Sequence, residues 1–260
     1  MLVDSWASTE MHNADLKDKR LNARLVQVLS DLGARPSASI PAACGGYKET
    51  AAAYRFFDND KVTYDRILQP HYACTRQRVA AQKVALLVQD TSELDVTRPQ
   101  QQVDGAGPLS SSTRRGVFAH PLEAFTTDGT PLGALWLDLW ARQDDDATPA
   151  EKKQRRRVAP IEEKESFRWL EGLRQARAAA QDMPDTTCVC IADSEADIYE
   201  LLAEPRGERP VHWLIRACHA DRILMPPASA QPENTVAGVA AADADAVAAK
   251  GSRLLRLRMR

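Results

Sequence analysis

Two aspartates stand where short apolar runs stop. Val84-Ala85-Leu86-Leu87-Val88-Gln89 ends at Asp90, and Thr186-Thr187-Cys188-Val189-Cys190-Ile191-Ala192 ends at Asp193. Runs of this length, rich in strand formers, predict buried strands. The C-terminal edge of an open α/β sheet is where such folds place their ligands. If the two strands are neighbours, the carboxylates face one another. At about 4 Å they would repel by about 4 kcal/mol at an effective dielectric near 20, so the pair would need a shared cation or proton. Mg²⁺ meets that need, and two such ions about 4 Å apart can activate water and stabilise a leaving oxygen in phosphodiester chemistry. An aspartate at a strand end also serves as a helix cap or turn former, so the pair alone leaves both readings open.

Cations occur in local groups. The formal net charge of −2 makes no global case for a polyanionic partner. Lys152-Lys153-Gln154-Arg155-Arg156-Arg157 places five cations in six residues, shortly after the acidic run Asp144-Asp145-Asp146. A solvated loop and a phosphate-contacting segment both fit that pattern. Lys17, Arg20 and Arg24 share the polar face of one amphipathic segment, and Lys48 and Arg55 lie on another. The five cysteines, Cys44, Cys74, Cys188, Cys190 and Cys218, are scattered and odd in number, which argues against a disulfide framework. Cys188 and Cys190 sit in a strand-like run with no second Cys or His pair nearby. They are expected to be buried strand cysteines rather than metal ligands.

These residues need a scaffold, and 260 residues with 44% hydrophobic content can build one large core or two small ones. In residues 15–32, Leu16, Leu21, Leu25, Val28, Leu29 and Leu32 recur mostly at three- and four-residue steps, predicting an amphipathic helix. Ser39 can cap a short helix beginning near Pro41, and Gly45-Gly46 breaks it. A further helix is predicted over 48–57 and a long one, capped by Thr63, over 64–80. Residues 1–80 therefore read as an all-helical unit.

From residue 83 the pattern changes. After the strand ending at Asp90, strands are predicted over 115–125 and 131–142, joined by the hairpin signal Thr127-Asp128-Gly129-Thr130. A helix over 161–181 carries Glu162, Glu163, Lys164, Glu165 and Arg168 on a charged face and turns Phe167, Leu170 and Leu173 inward. The strand ending at Asp193, a helix over 195–203 with Glu195 and Asp197 facing outward, and a strand over 211–217 follow. The fold class read from this order is α/β, a ribonuclease H-like mixed sheet flanked by helices over residues 83–220. After Pro226 the chain is Ala/Asp-rich, and Leu254, Leu255, Leu257 and Met259 alternate partly with arginines as a final strand would. No run reaches the roughly 18 to 20 apolar residues of a membrane span, and the first residues lack a secretory pattern, so a cytoplasmic protein is expected.

Five segments occur in the order found in one family. They are Trp6-Ala7-Ser8, Ala53-Tyr54-Arg55-Phe56-Phe57, Val88-Gln89-Asp90-Thr91-Ser92-Glu93-Leu94, Glu163-Lys164-Glu165-Ser166-Phe167-Arg168-Trp169-Leu170 and Ala192-Asp193-Ser194-Glu195-Ala196-Asp197-Ile198. On these the chain resembles the Tn-five-like DDE transposases of the insertion-sequence-type-four group, over essentially its first 220 residues. The resemblance implies that the helical unit binds the terminal inverted repeats of a mobile element and that the following domain cuts and joins double-stranded DNA. It makes Asp90 the first catalytic acid and Asp193 the second, each a ligand of Mg²⁺ (or Mn²⁺). Lys48 and Arg55 fall in the stretch that would approach the transposon end, and with Arg20 and Arg24 they are the candidate DNA contacts. A homodimer in a synaptic complex and cut-and-paste chemistry, by hydrolysis, hairpin formation and strand transfer, are implied as well.

The pattern is departed from twice. Ser194 stands where the family commonly has arginine, removing any phosphate contact or ion pair made there. The motif holding the third acid, of the form Y-x2-R-x3-E-x6-K, has no counterpart in these 260 residues. The expectation is thus an N-terminal portion that stops inside a β-rich insertion beginning near residue 221 and is inactive alone. The alternative is a non-catalytic DNA-binding remnant or an inhibitor of a full-length transposase.

Overall fold

A computed structural model describes residues 5–98, 103–111, 113–205, 207 and 211–218. The expected β-rich insertion over 221–260, with its final strand, lies outside the described residues.

Five helices come first: α1 (Ser5–Glu10), α2 (Lys19–Ala34), α3 (Ile40–Cys44), α4 (Tyr47–Phe57) and α5 (Tyr64–Ala80). The start of α2 is later than periodicity predicts because Asp18 caps it, accepting the Arg20 N–H at 2.8 Å, while Lys17 just before takes φ 57°. Ser39 occupies the N-cap position of α3 without making a side-chain cap bond, and Gly45 at φ 72° closes that helix in the left-handed conformation. Thr63 caps α5 as expected. Leu16, Leu25, Val28, Cys44, Ala53 and Phe56 form the core of the helical part.

The sheet is built from β1 (Val84–Gln89), β2 (Ser92–Asp95), β3 (Gly107–Pro108), β4 (Arg115–Phe125), β5 (Pro131–Trp140), β6 (Thr187–Ala192) and β7 (His212–Ile215). Between β5 and β6 come α6 (Pro149–Val158) and α7 (Phe167–Gln181), and α8 (Tyr199–Ala203) precedes β7. The sheet is mixed, in the order β2-β4-β1-β6-β7, with β3 and β5 also paired to β4. β1 runs antiparallel to β4 and parallel to β6. The predicted hairpin joins β4 to β5, with Gly129 at φ 87° in its turn. Trp169, Leu173 and Ala176 of α7 pack into one core with Leu87, Leu122 and Cys190. Full burial of each such leucine contributes about 1.5 to 3 kcal/mol.

Three expectations are corrected. The helix predicted over 161–181 is broken into a 3-10 turn, Ile161–Glu163, and α7, so Glu165 lies outside the helix. Its carboxylate instead accepts two hydrogen bonds from Arg142, each at 2.6 Å. The segment after β6 is likewise a 3-10 turn, Ser194–Ala196, followed by α8. Asp197 does not face outward there: it is 9% exposed and its Oδ2 accepts the Cys218 N–H at 2.8 Å. A charge at the end of a short polar turn is more easily satisfied by an inward backbone donor than its sequence setting suggests. The cationic segment 152–157, for which the sequence left a solvated loop and a phosphate-contacting segment open, lies in the helix α6. Cys188 and Cys190 are buried free thiols, as expected. No described helix is long and apolar enough to cross a membrane.

An ionic cluster ties α1 to α5 and the sheet. Glu10 accepts from both terminal nitrogens of Arg78, at 2.7 and 3.0 Å, and contacts His71 Nδ1 at 2.5 Å. Arg78 Nε donates to the Leu132 carbonyl at 2.5 Å, and His71 Nε2 accepts the Ala134 N–H at 2.9 Å. Burial alone would raise the Glu10 pKa, but hydrogen bonds from Arg78 and His71 outweigh it and hold the carboxyl below its ordinary value. Because the folded-state pKa is depressed, this stabilisation is present at neutral pH and is lost as pH falls through and below the ordinary carboxylate range. Glu10→Ala is expected to cost about 1 to 2 kcal/mol at pH 7, allowing for the partial exposure of Arg78. Urea melts at pH 7 and pH 3 test this; an equal loss at both would refute the ionic account.

Candidate functional site

β1 and β6 are adjacent and parallel, with Val84 opposite Thr187 and Val88 opposite Ile191. The paired register ends there; carried two residues on, it would bring Asp90 level with Asp193, one strand spacing of about 4.8 Å away. Asp193 is still extended, at φ −79° and ψ −167°. The two aspartates thus directly follow the ends of neighbouring parallel strands, and both are exposed. Each also makes the local bond typical of its type. Asp90 Oδ1 accepts the Thr91 N–H and Asp193 Oδ1 the Glu195 N–H, both at 2.8 Å. These local bonds are the turn-forming contacts of the two residues, and each leaves the second carboxylate oxygen available to a ligand.

The strand is interrupted at Asp90 in a defined way. β1 and β2 run along the same edge of β4 in one register, Gln89 opposite Leu122 and Ser92 opposite Ala119. Asp90 and Thr91 form the gap, facing Pro121 and His120. His120 is fully buried and bonds to both residues flanking Asp90: Nε2 lies 3.1 Å from Gln89 Oε1 and Nδ1 lies 2.7 Å from Thr91 Oγ1. The assignment consistent with the amide is Nε2–H donating to Gln89 and Nδ1 accepting from the Thr91 hydroxyl. The Gln89 amide then donates to Cys190 Sγ at 3.0 Å, linking β1 to β6 diagonally. Burial pushes the His120 pKa down to about 4 and the Cys190 thiol up to about 11, so both are neutral at pH 7. Trp169 meets the His120 ring edge-on at 4.6 Å. Gly172 of α7 makes room for Gln89, since a Cβ there would come within 2.0 Å of Oε1.

Beside the aspartates a cleft of about 360 Å³ is lined by Thr91, Glu93, Trp140, Arg142, Glu165 and Glu195, among others. Thr91 follows Asp90, and Glu195 stands two residues beyond Asp193. Arg142 holds the Glu165 carboxyl below the usual range against the opposing effect of burial. Glu93 is tied to Arg114 and to the Ser110 N–H. Among the described residues, no three His, Cys, Asp or Glu side chains are gathered to hold a metal ion. Two adjacent carboxylates are a donor set that suits Mg²⁺, which commonly takes one or two carboxylates and completes its shell with water and substrate phosphates.

The four candidate DNA contacts fall on two helices. Lys48 and Arg55 are exposed on one face of α4, two turns apart. Arg20 and Arg24 lie one turn apart on α2. Arg20 is exposed and loosely paired with Asp18 at 3.4 Å, while Arg24 is half-buried. Sequence reasoning missed two neighbours: Tyr47, 88% exposed, and Tyr54, 52% exposed, join Lys48 and Arg55 on the same face of α4. The seven-residue spacing of Tyr47 with Tyr54, matching that of Lys48 with Arg55, was the available signal. α3 and α4, joined through Gly45-Gly46, form a tight helix-turn-helix pair packed on α2.

Residues 3–62 match the transposase DNA-binding family. The match spans α1 to α4, so this helical part is a transposase DNA-binding domain, and DNA is the partner it implies. The sheet begins beyond it.

Proposed function

We propose that this chain acts at the ends of a mobile element as a Tn-five-like transposase. In this reading α1 to α4 bind the terminal inverted repeat, and the mixed sheet is a ribonuclease H-like core that contributes Asp90 and Asp193 to DNA cleavage and strand transfer. The observation that carries it is the β1–β6 pairing, which brings two aspartates to neighbouring strand ends at a sheet edge in a chain with a transposase DNA-binding domain. Aligned ends of parallel strands give acids a fixed separation that loops do not.

The face of α4 bearing Tyr47, Lys48, Tyr54 and Arg55 would lie against the duplex, with the cations on phosphates or base edges and the phenols packed beside the sugar-phosphate backbone. Asp90 and Asp193 would hold Mg²⁺ or Mn²⁺, whose contribution is to polarise the phosphoryl group and neutralise its developing charge. His120, Gln89 and Cys190 keep the two strand ends in register, and their neutrality leaves the acids as the local charges. A homodimer in a synaptic complex belongs to the same reading.

A second reading is binding without catalysis, favoured by one observation. The transposase match covers residues 3–62, the helical part, so DNA binding is the half of the reading that a family match supports.

Selection of the full chain against a randomised duplex library should enrich one sequence. Lys48→Ala/Arg55→Ala is expected to weaken binding to it about tenfold or more, whereas Asp90→Ala should bind like the parent. Failure to enrich any sequence would remove the reading, and Mg²⁺-dependent strand transfer by the purified chain would remove its non-catalytic form.

A further inference from the structure

Residues 143–164 leave the sheet after β5 and return just ahead of α7. The excursion is pinned at its base. Arg142 and Glu165, its two stems, share the bidentate pair described above, and Arg115 of β4 holds Asp144 through bonds of 2.6 and 2.9 Å. Within it stands α6, started by a capping box in which Thr148 Oγ1 accepts the Glu151 N–H and the Glu151 carboxylate accepts the Thr148 N–H. No residue of α6 is buried, and Val158 is 71% exposed. This helix has no core-facing side. A helix of ten residues held by its cap and its charges alone is marginal, so packing does not explain why it is built.

Its charges are sorted by partner. Asp145 accepts two bonds from Arg155, at 2.9 and 2.7 Å, and its carbonyl accepts Lys152 Nζ at 2.7 Å, so two of the five cations are spent on the acidic run. Lys153, Arg156 and Arg157 have no carboxylate partner among the described residues. At i, i+3 and i+4 they form one strip along the helix, with Arg156 one turn beyond Lys152. The stems of the excursion line the same cleft as Thr91 and Glu195, so the strip is anchored at the sheet edge that carries Asp90 and Asp193.

We propose that α6 is a second DNA-contacting element, separate from α1 to α4, in which Lys153, Arg156 and Arg157 grip the phosphate backbone of duplex DNA beside the aspartate pair. The inference rests on the reading of the chain as a DNA-acting transposase and adds to it a sequence-independent contact in the sheet domain. Three solvated cations with no base-directed scaffold around them recognise charge rather than sequence. Their place at the end of α6 also suits cations electrostatically, so the strip costs the helix little.

The test uses the full chain and Lys153→Ala/Arg156→Ala/Arg157→Ala, binding a 30-base-pair duplex of arbitrary sequence, followed by fluorescence anisotropy from 50 to 200 mM salt. Each phosphate contact contributes about 0.9 to the slope of log affinity against log salt. The triple variant should lose about 2 to 3 from that slope with an unchanged Tm, and Lys153→Arg/Arg156→Lys/Arg157→Lys should retain it. A triple variant with the parental slope and affinity would overturn the assignment while leaving the DNA-binding reading intact. A parent chain that binds no duplex at all would overturn both.

Discussion

Between pH 6.5 and pH 4 the chain is expected to lose about 3 kcal/mol of stability through one side chain, His120. Its imidazole is wholly enclosed by Gln89, Thr91 and Trp169, and burial holds its pKa at about 4. In the unfolded chain a histidine titrates near 6.5. Below that value the unfolded state takes a proton that the folded state refuses, so acid favours unfolding, and the loss is complete once pH has fallen through about 4. The nearby Asp138 works against this shift and Arg168 with it, but burial is the larger cause. Urea melts at pH 7, 6, 5 and 4 should show the loss, and His120→Gln, which keeps polar contacts but cannot titrate, should flatten it. A ring resonance of His120 that titrated near 6.5 in the folded chain would defeat the argument without recourse to the variant.

The physical role of that buried histidine also explains what could and could not be read from the residues. The apolar run ending at Asp90 and the run ending at Asp193 announced strands, and the Asp-Gly turn announced the β4–β5 hairpin, because hydrophobicity and turn chemistry are local. Thr63 and the periodicity after it gave the bounds of α5 for the same reason. Pairing of β1 with β6 is different: it joins segments a hundred residues apart, and nothing in either run names its neighbour. Gln89, Thr91 and His120 looked like polar interruptions of apolar segments, although together they satisfy one another's hydrogen bonds in the core. Glu165 was assigned to a helix face by the periodicity of Phe167, Leu170 and Leu173 beyond it, but it precedes α7 and pairs with Arg142. α6 escaped detection because its few apolar residues, at its two ends, make no period to find; its evidence was the Thr148-x-x-Glu151 capping pattern. Lys48 and Arg55 were visible as cations, whereas the exposure of Tyr47 and Tyr54 beside them depends on how α4 packs against α2.

Removing one carboxylate of the aspartate pair is expected to make the metal-free chain more stable and to abolish its response to divalent cations. Just beyond the ends of adjacent parallel strands, Asp90 and Asp193 repel by about 1 kcal/mol if both remain solvated and by up to about 4 kcal/mol at an effective dielectric near 20. Both are exposed, which favours the lower figure. Asp90→Asn and Asp193→Asn each keep the shape and can still accept the local backbone bond, from Thr91 or Glu195, while deleting the repulsion. Each should therefore raise Tm by a few degrees in EDTA. In 5 mM Mn²⁺ the order should reverse: the parent gains stability by mass action, and neither variant does. If all three chains shift equally with Mn²⁺, the pair holds no cation and Asp90 and Asp193 are turn formers alone. If the parent shifts and the variants do not, two acids suffice to bind a divalent cation at this sheet edge.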